Sequence, residues 1–172
     1  MATRTARRTG HDLLGVYLND HLAGSTVGIE LARRMAASAE PGSEAAGILR
    51  KLAGEIAADR NALIDVMASL EIPLRSYKVF AAWAGEKAAR LKLNGHLLTR
   101  SPLSRLEETE ILRLGVEGKA AGWRTLRVLA ERDSRVDAES LDELLARAAR
   151  QSATLETRRT GIAEQMLSSD TR

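Results

Sequence analysis

The chain has 172 residues, with 26 Lys and Arg, 23 Asp and Glu, no cysteine and 3% aromatic residues. The lack of cysteine excludes disulfides, thiolate zinc sites and a cysteine nucleophile. No run of about 18 apolar residues is present, which argues against a membrane span. The opening residues also lack the apolar segment of a secretory signal. We therefore expect a cytoplasmic protein, and the length suits a single domain.

The net charge of +3 comes from the start of the chain. Arg4, Arg7 and Arg8 lie in a nine-residue stretch without acidic residues, and the remaining 23 basic and 23 acidic residues cancel. Nucleic-acid-binding domains carry a net basic excess on one face, so the balanced body argues against such a partner. We expect residues 1–9 to be a disordered basic tail. A weaker alternative is DNA association through this tail, for which three charges predict a shallow salt dependence.

Apolar residues recur at spacings of three and four almost throughout, which predicts an all-α protein. The first long helix should span about residues 10–38 and should end at Pro41-Gly42, a pair that breaks helices. The second should begin after Ser43 and end before Pro73. For the third, Ser101 is an N-cap and Pro102 suits the first helical position.

The third helix should end at about Glu131. Val136 and Leu141 could then pack across Asp137 as a hydrophobic staple and start a fourth helix there. Short connections within the first and second pairs of helices predict two antiparallel hairpins. The domain should extend over residues 10–167, followed by a frayed end at 168–172.

About 30 residues separate the second and third long helices, enough to run back along the bundle. A short helix is expected after Ser76, ending at Asn94-Gly95. This crossover is basic. Its charged side chains could bind an acidic partner or a nucleic-acid backbone, or their long stems could simply cover the rim of the bundle. Its basic residues are Arg75, Lys78, Lys87, Arg90 and Lys92.

Two hairpins joined by a long crossover resemble the ferritin-like fold. The sequences Leu18-Asn-Asp-His-Leu-Ala-Gly24 and Leu52-Ala-Gly-Glu-Ile-Ala-Ala-Asp-Arg60 are similar in texture to uncharacterised bacterial ferritin-like proteins. The resemblance covers most of the chain and implies a four-helix bundle. Di-iron members of the family carry Glu-x-x-His motifs. None of the three histidines, His11, His21 and His96, follows a Glu by three residues, so the family's oxidase activity is not implied.

Counting residues back from the turn of each predicted hairpin shows which residues lie opposite each other. By this count several polar residues lie at the same depth in the bundle. One interpretation is a divergent site for Fe, Mn or Zn, because carboxylates and imidazole suit these metals. Its candidate ligands are His21, Glu55, Asp59 and Glu117. The other interpretation is a hydrogen-bonded core layer in which His21 pairs with Asp59. The predicted layer consists of His21, Glu55, Asp59, Glu117 and Gln151.

Five glycines inside the first and third helices predict that another backbone approaches there, because glycine weakens a helix interior. That backbone belongs either to the crossover or to a second subunit. We expect a homo-oligomer. The glycines are Gly24, Gly28, Gly115, Gly118 and Gly122. No catalytic triad or phosphate-binding loop is present, and no catalytic residue is assigned. We expect a non-catalytic, self-associating bundle, with a metal-binding protein or di-metal oxidase as the alternative.

Overall fold

The computed structural model describes residues 10–75 and 101–168, and within them it contains four long helices and no strand. The helices are α1 (Gly10–Ala37), α2 (Glu44–Ser69), α3 (Pro102–Ala130) and α4 (Ala138–Ser168). The all-α prediction is confirmed. The predicted basic tail, the short crossover helix and the last four residues lie outside the described residues. No helix in the described ranges is both long enough and apolar enough to cross a membrane.

Side-chain caps begin three of the helices at the predicted residues. The hydroxyl of Ser43 accepts a hydrogen bond from the backbone N–H of Ala46 at 3.2 Å. Ser101 does the same for Ser104, also at 3.2 Å, with Pro102 as the first helical residue. The carboxylate of Asp137 accepts from two backbone N–H groups at the start of α4. These caps satisfy donors that have no partner within the helix.

The end of α2 has a Schellman motif. The N–H of Ile72 donates to the carbonyl of Met67 at 2.9 Å, and the N–H of Glu71 donates to that of Ala68 at 3.0 Å. Glu71 has a φ of 57°, the left-handed conformation that usually selects glycine at this position. Ile72 and Met67 are both buried, so their contact accompanies the turn.

The helices pack in an antiparallel order. α1 packs against α2 and α3, and α3 packs against α4. Tyr17 near the start of α1 bonds to Thr125 near the end of α3, whereas Arg34 near the end of α1 pairs with Glu108 near the start of α3. The same opposite order relates α1 to α2 and α3 to α4. The contacts that show it are His11 with Leu70, Thr26 with Arg60, Arg113 with Glu156, and Arg127 with Asp142.

The buried apolar residues form two clusters, one nearer each end of the bundle. One contains Ile56 of α2 and Val116 of α3. The other contains Leu63 of α2 and Trp123 of α3. Asp59 falls between the two clusters along α2. Lys119 lies beside Ala120, the last residue that α3 contributes to the first cluster. The core is therefore interrupted near its middle by polar side chains.

Candidate functional site: the buried ion-pair layer

Asp59 on α2 is the centre of this polar interruption. Its side chain is only 1% exposed, and both carboxylate oxygens are engaged. Arg147 of α4 donates to Oδ1 at 2.9 Å. Lys119 of α3 and the amide of Gln151 both donate to Oδ2, the latter at 3.3 Å. One buried carboxylate thus joins three of the four helices.

Gln151 on α4 extends the network. Its residue is 1% exposed, and its Oε1 accepts a hydrogen bond from Lys119. Its Nε2 donates to Glu55 Oε2 at 3.1 Å as well as to Asp59. Glu55 is half-buried and lies 3.8 Å from the exposed ammonium of Lys51. The amide therefore connects two carboxylates to one ammonium. We call Glu55, Asp59, Lys119, Arg147 and Gln151 the ion-pair layer.

The ion-pair layer is electrically balanced. Glu55 and Asp59 supply two negative charges, and Lys119 and Arg147 supply two positive ones. Burial lowers the pKa of the Lys119 ammonium, while the neighbouring Asp59 carboxylate opposes that shift. The Lys119 side chain is 13% exposed, so it loses most of its hydration and depends on Asp59 and Gln151 for replacement contacts.

His21 lies elsewhere, at the contact between α1 and α3. Its ring meets the ring of Tyr17 edge to face, with centroids 4.5 Å apart. Two ring atoms are 3.2 Å from the position that a Cβ on Gly122 would occupy. Burial lowers the pKa of His21, against a smaller opposing effect of Asp20. The structure thus gives His21 aromatic and backbone neighbours in place of the predicted partner Asp59.

Glu117 also lies outside the ion-pair layer. It is exposed on α3 and accepts a hydrogen bond from the hydroxyl of Ser152 on α4 at 2.6 Å. Of the five residues of the predicted layer, the structure brings together Glu55, Asp59 and Gln151.

Sequence reasoning missed Lys119 and Arg147, although a signal for the first was present. Lys119 continues the three-four spacing of buried Leu112, Val116, Trp123 and Leu126 on α3. A lysine on such an apolar stripe predicts a buried ammonium that needs an acidic partner. Arg147 lies one turn before Gln151 on α4, and its role depends on Asp59 of another helix.

The donor set of the ion-pair layer does not suit a di-metal centre. Two of its five side chains are cationic, and one of them contacts the oxygens of both Asp59 and Gln151. Within the described residues, no group of three or more His, Cys, Asp or Glu side chains could hold a metal ion. The four candidate ligands are divided among the ion-pair layer, the α1–α3 contact and the surface.

Comparison with known proteins gives no relative from which a function could be transferred. No family model, no curated protein and no solved structure matches this chain.

Proposed function

We propose that this chain is a non-catalytic, self-associating helical-bundle protein of the ferritin-like type. In this proposal the ion-pair layer occupies the depth at which a di-metal centre would lie. The observation that carries it is the position of Lys119, whose ammonium donates to both Asp59 and Gln151. A fixed side-chain cation thereby takes the place that a metal ion would have between such oxygens.

Charge balance supports the structural role. The two carboxylates are already neutralised by Lys119 and Arg147 within the bundle. Adding a divalent cation would leave excess positive charge in a poorly hydrated layer, which is strongly unfavourable. Binding a metal would first require Lys119 to leave Asp59 and Gln151.

The ends of the helices support the ferritin-like topology. Leu70, after α2, accepts a hydrogen bond from His11 at the start of α1, so α2 ends where α1 begins. Glu108, near the start of α3, pairs with Arg34 near the end of α1. The end of α2 and the start of α3 therefore lie at opposite ends of the bundle, which supports a long crossover between them.

Elemental analysis of full-length protein purified without chelator tests this proposal. We expect no stoichiometric Fe, Mn or Zn, and no change in Tm on addition of a chelator, because a ligand specific to the native state would stabilise it. Stoichiometric metal that is lost in Asp59→Asn but retained in Lys51→Met would contradict the proposal. That result would support the metal-binding alternative, and turnover of an oxidase substrate would support the enzyme.

A further inference from the structure

The outward face of α3 carries a second stripe of mostly apolar residues, whose large members are exposed. Ile111, Leu114 and Val128 are exposed, and Leu114 is the most exposed at 69%. With Gly118, Ala121 and Thr125 they follow a three-four spacing along α3, and of these residues Thr125 bonds to Tyr17 of α1. That spacing is typical of a helix packing on a partner helix. The buried residues of α3, which face the core, belong to a different stripe.

The stripe is complementary to itself when a second α3 lies antiparallel to the first. A two-fold axis beside Val116 sets Leu114 of one copy opposite the partner's Gly118. A Cβ on Gly118 would meet no atom within 4 Å, so the large Leu114 side chain has room there. The same axis sets Ile111 opposite the partner's Ala121. Each large residue thus faces a small one, as an isologous interface requires.

Two charged residues beside the stripe agree with this arrangement. Glu107 and Arg124 are both exposed on α3, and neither forms an ion pair with another described residue. About the same axis, Glu107 lies within one residue of the partner's Arg124, and the contact occurs twice. A parallel arrangement would instead set Glu107 against the partner's Glu107 and Leu114 against the partner's Leu114. Opposite charges across an interface fix its orientation.

We infer that the outward face of α3 binds a second copy of this chain, in an antiparallel two-fold arrangement centred beside Val116. This inference rests on the self-association in the proposed function and specifies the surface that carries it. It also gives Gly118 a purpose, since glycine weakens a helix interior relative to alanine.

Sedimentation of the full chain tests the assignment. We expect the wild type to sediment as a dimer and the Leu114→Asp variant to sediment as a monomer. The matched control is Ala146→Asp, at an exposed position of α4, and this variant should remain dimeric. Because Leu114 is 69% exposed, the variant should keep its helical circular dichroism.

The outcomes separate two failures. A dimeric wild type with a dimeric Leu114→Asp variant would overturn the α3 assignment and leave self-association intact. A monomeric wild type would contradict both. If Leu114→Asp then also lowered the Tm, the face would be covered within the chain by residues 76–100.

Cross-linking tests the orientation, and the absence of native cysteine makes it specific. Glu107→Cys and Arg124→Cys proteins are mixed and treated with a short bis-maleimide. Antiparallel pairing predicts a covalent dimer chiefly in the mixture, because like positions lie about 26 Å apart along the axis. The other end of the mixed dimer keeps its Glu107 and Arg124 side chains. Equal cross-linking of Glu107→Cys alone would overturn the antiparallel arrangement.

Discussion

Lys119 of α3 reaches across the bundle to the carboxylate of Asp59 on α2, where the two apolar clusters meet. Either charge alone would be costly in this position, since burial removes the water that would otherwise solvate it. Each charge therefore needs the other to be tolerated in the core. The pair as a whole need not make the folded protein more stable than apolar residues would.

Removing Asp59 should destabilise the protein more than removing Lys119. We expect Asp59→Leu to lower the free energy of unfolding by about 3–5 kcal/mol, because it leaves the buried Lys119 ammonium without a carboxylate partner. Lys119→Met should lower it less, because Arg147 still pairs with Asp59. The double variant should lose much less than the two single losses combined. Urea denaturation of the four proteins gives the coupling energy.

Lys51→Met provides the control for this cycle. The Lys51 side chain is 79% exposed and pairs with Glu55 at 3.8 Å, so its loss should change stability by less than about 1 kcal/mol. Additive effects of Asp59→Leu and Lys119→Met would refute the coupling.

A methyl group on Gly122 should be tolerated less well than one on Gly24. The His21 ring lies 3.2 Å from the Cβ position at Gly122, whereas the same position at Gly24 meets no atom within 4 Å. Gly24→Ala should stabilise the protein by roughly 0.5–1 kcal/mol through helix propensity. Gly122→Ala should be less stable than Gly24→Ala by about 1–3 kcal/mol, because of overpacking.

The double variant His21→Ala/Gly122→Ala isolates the cause. In the His21→Ala background, the Gly122→Ala change should become stabilising. If Gly122→Ala remained as unfavourable without the ring, contact with His21 would not be the reason. Thermal melting gives the Tm of the wild type, the two single variants and the double variant.

Protonation of His21 should favour unfolding. Burial holds the pKa of His21 below its usual value of 6.5, so below pH 6.5 the unfolded chain binds the proton more readily than the folded protein. Stability should therefore rise with pH between the folded-state pKa and 6.5. We expect the Tm of the wild type to fall more between about pH 8 and pH 5 than that of His21→Phe. Parallel pH profiles would contradict this assignment.

Replacing Glu71 by glycine should stabilise the end of α2. Glu71 has a φ of 57°, a conformation that costs a residue with a Cβ roughly 1–2 kcal/mol and costs glycine little. Part of this gain is lost to the greater freedom of glycine in the unfolded chain, so the net gain should be about 1 kcal/mol. Glu71→Ala keeps the Cβ and serves as the control, and a Tm no higher than that of the control would refute the prediction.

The sequence predicted the helices well because their signals are local. Ser43, Ser101 and Asp137 bond to backbone groups only two or three residues away. The apolar spacing of α2 likewise identified Asp59 as a polar residue on a buried stripe.

Counting from the turns was less successful for Glu117 and His21. Such counting gives the depth of a residue along the bundle but not its rotation about the helix axis. Lys119, two residues beyond Glu117, lies about 200° around α3 and takes the position facing the core. Similarly, His21 turns toward Gly122 of α3, away from the ion-pair layer.

The chain's net charge of +3, its balanced helical body and its lack of cysteine are determined by the sequence alone, as are the starts of α2, α3 and α4. Only the tertiary structure decided the partners of Asp59. Arg147 lies 88 residues from Asp59 along the chain, and Lys119 lies 60 away. Such contacts depend on how four helices rotate to bury their apolar stripes together, a collective balance that no local spacing specifies.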